Sequence, residues 1–425
     1  MTVTLDGSGT AEDPYLIRTV SDFMQIRSNY STFAYYSILN DLDFTGESWQ
    51  CINAPAALHL IGNGKSIKNL TITANGSYTA LFQKYYAKTV YEGIVFDNII
   101  VNTTTQYSGI LSAYYNAGYT VSQCVFKNCS VKSSFSGSTS TSFIGLVSGN
   151  AYGSTITVRN CIFVNNTVSS PGNTSSDFNG IVSGNSGNAY NIFAKDNTIT
   201  ALASNIYVGG IIGGSDRAGT ISGCVSIGGS ISASGTSLIT GRIVANSATT
   251  LSNNYSNILV NGAAVTGGTV SNKNGADVSD ADAKTQTFYE DTLGWDFTNI
   301  WIWDTANEMP ALRVCTGQTA VNYTKTVKHT ITADMTPGAS LQWEESADGV
   351  TYTDITGEIY TTLVLAEATG AASTVEATAL QNAYDAISSY DKRIKCRASV
   401  GVYSAESSPI HITYTSGDAD PQIAN

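Results

Sequence analysis

Two short apolar motifs alternate through the middle of the chain with a period near 30 residues. No other feature limits the possible folds as strongly. The first motif reads Ile94-Val95-Phe96-Asp97-Asn98, then Cys124-Val125-Phe126-Lys127-Asn128, then Cys161-Ile162-Phe163-Val164-Asn165. It continues less faithfully at Ile192-Phe193, Cys224-Val225 and Asn254-Tyr255. The second reads Ala80-Leu81-Phe82, Gly109-Ile110-Leu111, Gly145-Leu146-Val147, Gly180-Ile181-Val182, Gly210-Ile211-Ile212 and Arg242-Ile243-Val244. Both keep phase over six copies.

A single 30-residue period of short strands and Gly, Ser or Asn turns cannot bury its own apolar residues. Stacked periods bury a continuous core. Like residues then lie above one another at the strand spacing of about 4.8 Å. The pattern predicts an all-β chain built around a parallel β-helix (β-solenoid). A β-sandwich alone would set strands about 8–12 residues apart with no period near 30. The asparagines that end the first motif suit turns, because Asn tolerates left-handed backbone and can bond between coils.

Composition excludes several functions. The 425 residues carry 21 basic and 33 acidic side chains, a net charge of −12. Such a chain is a poor nucleic-acid binder. No apolar run approaches the ~20 residues of a membrane span. The seven cysteines include no CxxC pair, and the three histidines are scattered, so neither a metal site nor a cofactor is expected. Cys124, Cys161 and Cys224 occupy one repeat position and read as buried free thiols. The opening Met1-Thr2-Val3-Thr4-Leu5 lacks the pattern of an export signal.

Both ends of the repeat need covers. Ser21 to Arg27 reads as a short capped helix, followed by strands at Tyr36–Leu39 and Leu42–Phe44. At the other end, the segment with Trp295, Phe297, Trp301 and Trp303 reads as an aromatic cap over the last coil.

Gly7-Ser8-Gly9-Thr10 with Asp13-Pro14-Tyr15-Leu16-Ile17 resembles the opening of bacterial GLUG-repeat adhesin regions. Ile61-Gly62-Asn63-Gly64-Lys65-Ser66-Ile67-Lys68-Asn69-Leu70 continues the likeness. Gly145-Leu146-Val147-Ser148-Gly149 resembles the repeat, and Leu293-Gly294-Trp295-Asp296-Phe297 with Met309-Pro310-Ala311-Leu312 resembles the closing segment. The resemblance spans about residues 5–315. It implies a right-handed parallel β-helix of cell-surface or virion adhesion proteins and carries no catalytic motif. Two departures are the serine inserted into the Gly-Leu-Val-Gly core and the arginine at Arg242.

The capped β-helix is thus expected over 1–315. A second module follows over 319–416. It has an alternating strand at Leu341–Ser346, a hairpin through Asp348-Gly349, and strands at Arg393–Val400 and Ser407–Thr413. A Trp343 strand and a later Cys396 strand resemble a bacterial immunoglobulin-like β-sandwich, with Cys396 packing on Trp343 as a thiol. Residues 366–390, rich in Ala, Glu and Gln, read as an inserted helix or loop. Residues 417–425 read as a flexible tail.

Three functions fit. One is a non-catalytic adhesin presenting a solenoid face to host-cell or mucus glycans. Aligning the second motif sets Tyr85 over Tyr114 and Tyr86 over Tyr115, with Asn150 and Asn185 following. Together they are a candidate glycan face of aromatic platforms and amides. The second is a polysaccharide depolymerase. Its chemistry needs paired carboxylates, and only Asp97, Asp177, Asp196 and Asp216 lie between Ile94 and Val260. The third is a structural spacer. Free cysteines without an export signal point to a virion surface (a phage tail-fibre, spike or head-decoration component), with the bacterial cell surface or secretion as the alternative. Other virion or cell-surface proteins are the expected partners, and a homotrimer is possible in such fibres.

Overall fold

The structure is a computed structural model. It describes the chain apart from residues 1–4, 28–32, 53–57, 75, 84–88, 115–118, 137–139, 151–155, 173–174, 215–218, 247–249, 317–322, 334–338, 360–361, 373–389, 401–402, 415–421 and 425. The chain divides into two units, Met1–Gly317 and Gln318–Asn425.

The first unit is a parallel β-solenoid of about six turns. Its strands stack into four parallel sheets. The first has two limbs that meet in the long strands Thr157–Val164 and Asn188–Lys195. The second stacks eight strands from Ser48–Gln50 to Leu259–Val260. The third stacks six, from Tyr78–Thr79 through Thr141–Ile144 and Ser176–Gly180 to Ser237–Gly241. The fourth stacks Ser112–Tyr114, Ser148–Asn150, Ser183–Asn185 and Ile212–Gly214.

Alternate residues of the first motif and the apolar pair of the second line the core of each coil. Phe96, Phe126 and Phe163 are register partners, and their rings stack at 4.8 and 4.9 Å. Cys124, Cys161 and Cys224 are buried free thiols, as the repeat predicted. Corners between strands carry left-handed residues on successive coils: Asn69, Asn98, Asn128, Asn165 and Asp196 all have φ between 55° and 58°. Asn tolerates this conformation better than residues that lack a short polar side chain. Its amide also links coils: Asn98 Nδ2 donates to Asn69 Oδ1 at 2.8 Å, and Asn165 Nδ2 to Asn128 Oδ1 at 2.8 Å.

The serine that follows the second motif has a physical role. Ser112, Ser148 and Ser183 are fully buried, and Ser183 Oγ donates to the carbonyl of Asn185 at 3.0 Å. Gly149 and Gly184, which follow two of these serines, let the fourth sheet press against the third. A Cβ on Gly149 would sit 2.7 Å from the Phe143 carbonyl oxygen and 2.8 Å from the Ser108 nitrogen.

The amino-terminal helix forms at Val20–Met24 and tightens into a 3₁₀ turn at Gln25–Arg27. It starts one residue earlier than expected because Thr19 and Asp22 form a reciprocal capping box. Phe23 is fully buried beside Phe44 and Trp49, with ring centroids 5.5 and 5.4 Å apart.

The aromatic segment after residue 277 corrects the expectation of a cap over the last coil. It is a strap along the flank. Asn253 donates to the Leu293 carbonyl at 3.4 Å, Trp295 Nε1 to the Gly223 carbonyl at 3.1 Å, and Cys315 Sγ to the Gln123 carbonyl at 3.9 Å. Val314 then abuts Gly64 and Gly93. The strap therefore runs back from the last coil towards the first. The reason lies in the sheet beneath it, where Val125, Ile162, Phe193, Val225 and Tyr255 form an outward apolar row. Trp295, Trp301, Phe297, Tyr289 and Leu293 pack into one buried cluster with Ile162, Phe193 and Val225. The last coil is closed instead by residues 261–277 and by Arg242, whose guanidinium reaches the carbonyls of Asn274 at 3.0 Å and Gly275 at 2.9 Å.

The second unit is antiparallel. Tyr323–Thr332 pairs with Thr362–Ala372. A second sheet runs Thr353–Asp354, Ser340–Ser346, Tyr390–Val400, Ile410–Tyr414, Gln422–Ala424, and Tyr403–Glu406 also pairs with Tyr390–Val400. Trp343 and Cys396 are direct partners across two strands, both buried. The expected insertion at 366–390 is corrected over 366–372: these residues continue a strand. Backbone pairing with Tyr323–His329 overrides the low β-propensity of Ala and Gly there. Residues 373–389 lie outside the described residues. In the expected tail, Gln422–Ala424 pairs with His411–Thr413.

Candidate ligand-binding face

The register of the fourth sheet places Tyr114 beside Asn150 and Asn150 beside Asn185, in the order the repeat alignment gave. Gly214 continues the row. Asn150 and Asn185 are 3% and 1% exposed, and Asn185 Nδ2 donates to Asn150 Oδ1 at 3.4 Å. These two amides are therefore internal rungs, not open hydrogen bonders. Tyr114 is half-buried. Tyr85, Tyr86 and Tyr115 lie outside the described residues.

Beside this row stands a second one that the motif alignment overlooked. Tyr78, Tyr107, Phe143, Phe178 and Tyr207 are successive register partners on the third sheet. Their ring centroids are 5.6, 5.5, 5.1 and 4.4 Å apart, with interplanar angles of 21°, 1°, 22° and 3°. The three tyrosines are half-buried and the two phenylalanines are 7–8% exposed. The signal was present in the sequence. Four of the rings stand two residues before the second motif, as in Tyr107-Ser108-Gly109 and Phe178-Asn179-Gly180, and Tyr207 stands three before it. Alternation along the strand turns the ring outward while its neighbour, Ser108 or Asn179, turns inward.

Tyr114 joins the two rows. Its ring meets Tyr107 edge-on, with centroids 5.1 Å apart at 77°, and lies 6.3 Å from Tyr78. Burial first, and then Tyr114 and Tyr78, push the Tyr107 hydroxyl up from its usual pKa. The Tyr107 phenol is therefore a neutral donor and acceptor near pH 7. At the far end of the fourth-sheet row, Gly214 lies against the Phe178 ring, where a Cβ would collide.

The acids considered for a depolymerase do not converge. Asp177 is fully buried and accepts hydrogen bonds from Ser142 and, at 2.8 Å, from Ser170. It anchors the interior between the second and third sheets. Asp97 pairs with Lys127 at 3.2 Å and accepts from Asn128 at 2.9 Å. Asp196 occupies an exposed left-handed corner. Asp216 lies outside the described residues. Among the described residues, no group of three His, Cys, Asp or Glu side chains is placed to hold a metal ion, and no helix is long and apolar enough to cross a membrane.

Two shallow clefts lie elsewhere. One, of about 490 Å³, is lined by Leu202, Ala203, Ser234 and Gly235. The other, of about 320 Å³, is lined by Tyr255, Asp277, Asp282 and Phe288. Neither includes the aromatic row.

No protein-family model, no curated protein and no solved structure matches the chain.

Proposed function

We propose that the chain is a non-catalytic surface protein whose solenoid presents a repeated face to host-cell or mucosal glycans. The observation that carries this reading is the aromatic row from Tyr78 to Tyr207, held in register over five coils. A rigid row of like groups at one-strand spacing suits a polymer with repeating units better than a small ligand. Binding needs no conformational change in such a scaffold, so little ordering cost opposes it.

The resemblance to GLUG-repeat adhesin regions supports an adhesive role. The free buried cysteines suit assembly in a reducing compartment, and hence a virion component such as a tail-fibre, spike or head-decoration protein. The second unit reads as an immunoglobulin-like sandwich lacking its inter-sheet disulfide, with Trp343 beside Cys396 supporting that reading. It would serve as anchor or spacer, and a homotrimer is the assembly we propose.

The test is a binding screen of the purified chain on a glycan array and on whole bacterial and mucosal cells. Retention that weakens in Tyr114→Ala supports the adhesin. No retention on any surface overturns it and leaves the structural spacer.

A further inference from the structure

The two rows just described have a third neighbour. Thr141, Ser176, Asn205 and Ser237 are register partners on the third sheet, two residues before Phe143, Phe178, Tyr207 and Ile239, and so share their face. Thr141 and Ser176 are half-buried, and Asn205 and Ser237 are exposed. The aromatic row is therefore bordered by hydroxyls and an amide on one side. Tyr114, Asn150, Asn185 and Gly214 border it on the other.

Not one of these described residues carries a formal charge. The contrast with the first sheet is sharp. There the register sets Asp43, Lys68, Asp97 and Lys127 in one outward row of alternating sign. Charge is thus available to the solenoid surface and is missing from the described residues of the aromatic face.

We infer that this face binds an uncharged polysaccharide lying along the solenoid axis, with Tyr78, Tyr107 and Tyr114 as its anchor. The inference rests on the glycan-binding reading above and narrows its ligand. The physical argument is electrostatic. The chain carries −12 overall, so a polyanion approaching it is repelled at long range. A polyanion would need Lys or Arg to offset that repulsion and the loss of its hydration, and the described face has none. A neutral sugar meets no such penalty. Its C–H surface packs against the outward edges of the tyrosine rings, whose faces stack along the row, and its hydroxyls pair with phenols and with Thr141, Ser176, Asn205 and Ser237. The direction follows from the rows, which run from coil to coil.

Affinity electrophoresis of the whole chain through gels containing dextran, mannan, mixed-linkage β-glucan, alginate, hyaluronan or heparin tests this. The inference predicts retardation by at least one of the first three. That retardation should change less than about twofold between about 0.05 and 0.5 M salt, because no ion pair is screened. Ser176→Lys and Ser237→Lys place a long charged side chain on the face while leaving the core intact, and each should weaken binding several-fold. Tyr107→Phe keeps the stack and removes one hydroxyl, and should weaken it less. Retardation only by alginate, hyaluronan or heparin, fading as salt rises, would overturn the neutral-ligand inference and leave the adhesin reading standing. Binding to a neutral polymer that ignores both lysine variants would move the site off this face and overturn the inference too. No retardation by any polymer, together with no retention on the glycan array or on cells, would overturn both.

Discussion

Arg242 ends the solenoid by reaching Asp277, with Nη2 2.7 Å from Oδ1 and the arginine side chain only 3% exposed. It follows Gly241, which continues the register row of Gly180 and Gly209, so the preceding coils carry Ile181 and Gly210 at its position. The last coil has no coil above it, and the guanidinium fills that place while bonding the carbonyls of Asn274 and Gly275. A side chain that looked like decay of the repeat is its terminus. Arg242→Met should therefore lower stability by about 2–4 kcal/mol, since two carbonyls lose a charged donor. Asp277→Asn should cost less than about 1 kcal/mol, because that carboxylate is largely in water. Urea unfolding of both variants checks the ranking.

The strap makes a second prediction. Trp295 stacks on Trp301 with centroids 4.3 Å apart and donates to the Gly223 carbonyl. Trp295→Ala should cost about 3–5 kcal/mol, the usual range for emptying a large aromatic site. Gly64→Ala should also destabilise, because its backbone is left-handed at φ 75° and the Val314 carbonyl fills the space a Cβ would need. A chain ending at residue 277 should expose the apolar row from Val125 to Tyr255 and bind a hydrophobic dye that the whole chain ignores.

The corner residues make a third. At Asn128, with φ 57°, replacement by Ala should cost about 1–2 kcal/mol, and replacement by Gly less, because only Gly enters this region without steric penalty. Thermal melts of the pair separate backbone strain from the lost hydrogen bond.

The thiols make a fourth. Burial pushes Cys51, Cys129 and Cys224 up to about 12 from 9.0. An acid whose folded pKa is raised adds stability below its unfolded pKa and loses it as pH rises. The first unit should therefore weaken from about pH 9 towards pH 12, in proportion to these thiols. Replacing all three by Ala should flatten that alkaline slope. In the native chain at pH 8, these three thiols should resist a thiol reagent that labels all seven cysteines after denaturation.

How much of this was legible in the sequence depends on whether a residue's partner recurs. The coil core was readable because Phe96, Phe126 and Phe163 repeat and stack on their own kind. So was the Tyr114–Asn150–Asn185 row, although not its burial, which depends on the neighbouring sheet. The aromatic row is harder to read because Tyr and Phe are mixed in it and because it stands before the second motif, where the spacing to Tyr207 differs by one residue. The strap was misplaced for a different reason. Its aromatics marked it as a cover, but what it covers is the outward row containing Ile162 and Phe193, and those residues had been assigned only to the core. The strand at Thr362–Ala372 was hidden because its composition favours helix and only its partner at Tyr323–Thr332 decides otherwise.

The proposed function, a solenoid that holds a glycan without cutting it, is tested most directly by polymer length. The chain is incubated with a polysaccharide that retards it, and size-exclusion light scattering and a reducing-end assay follow the polymer over a day. Unchanged length and no new ends are predicted. Shortened polymer with new reducing ends would contradict the account and direct attention to catalytic groups that the described acids do not provide.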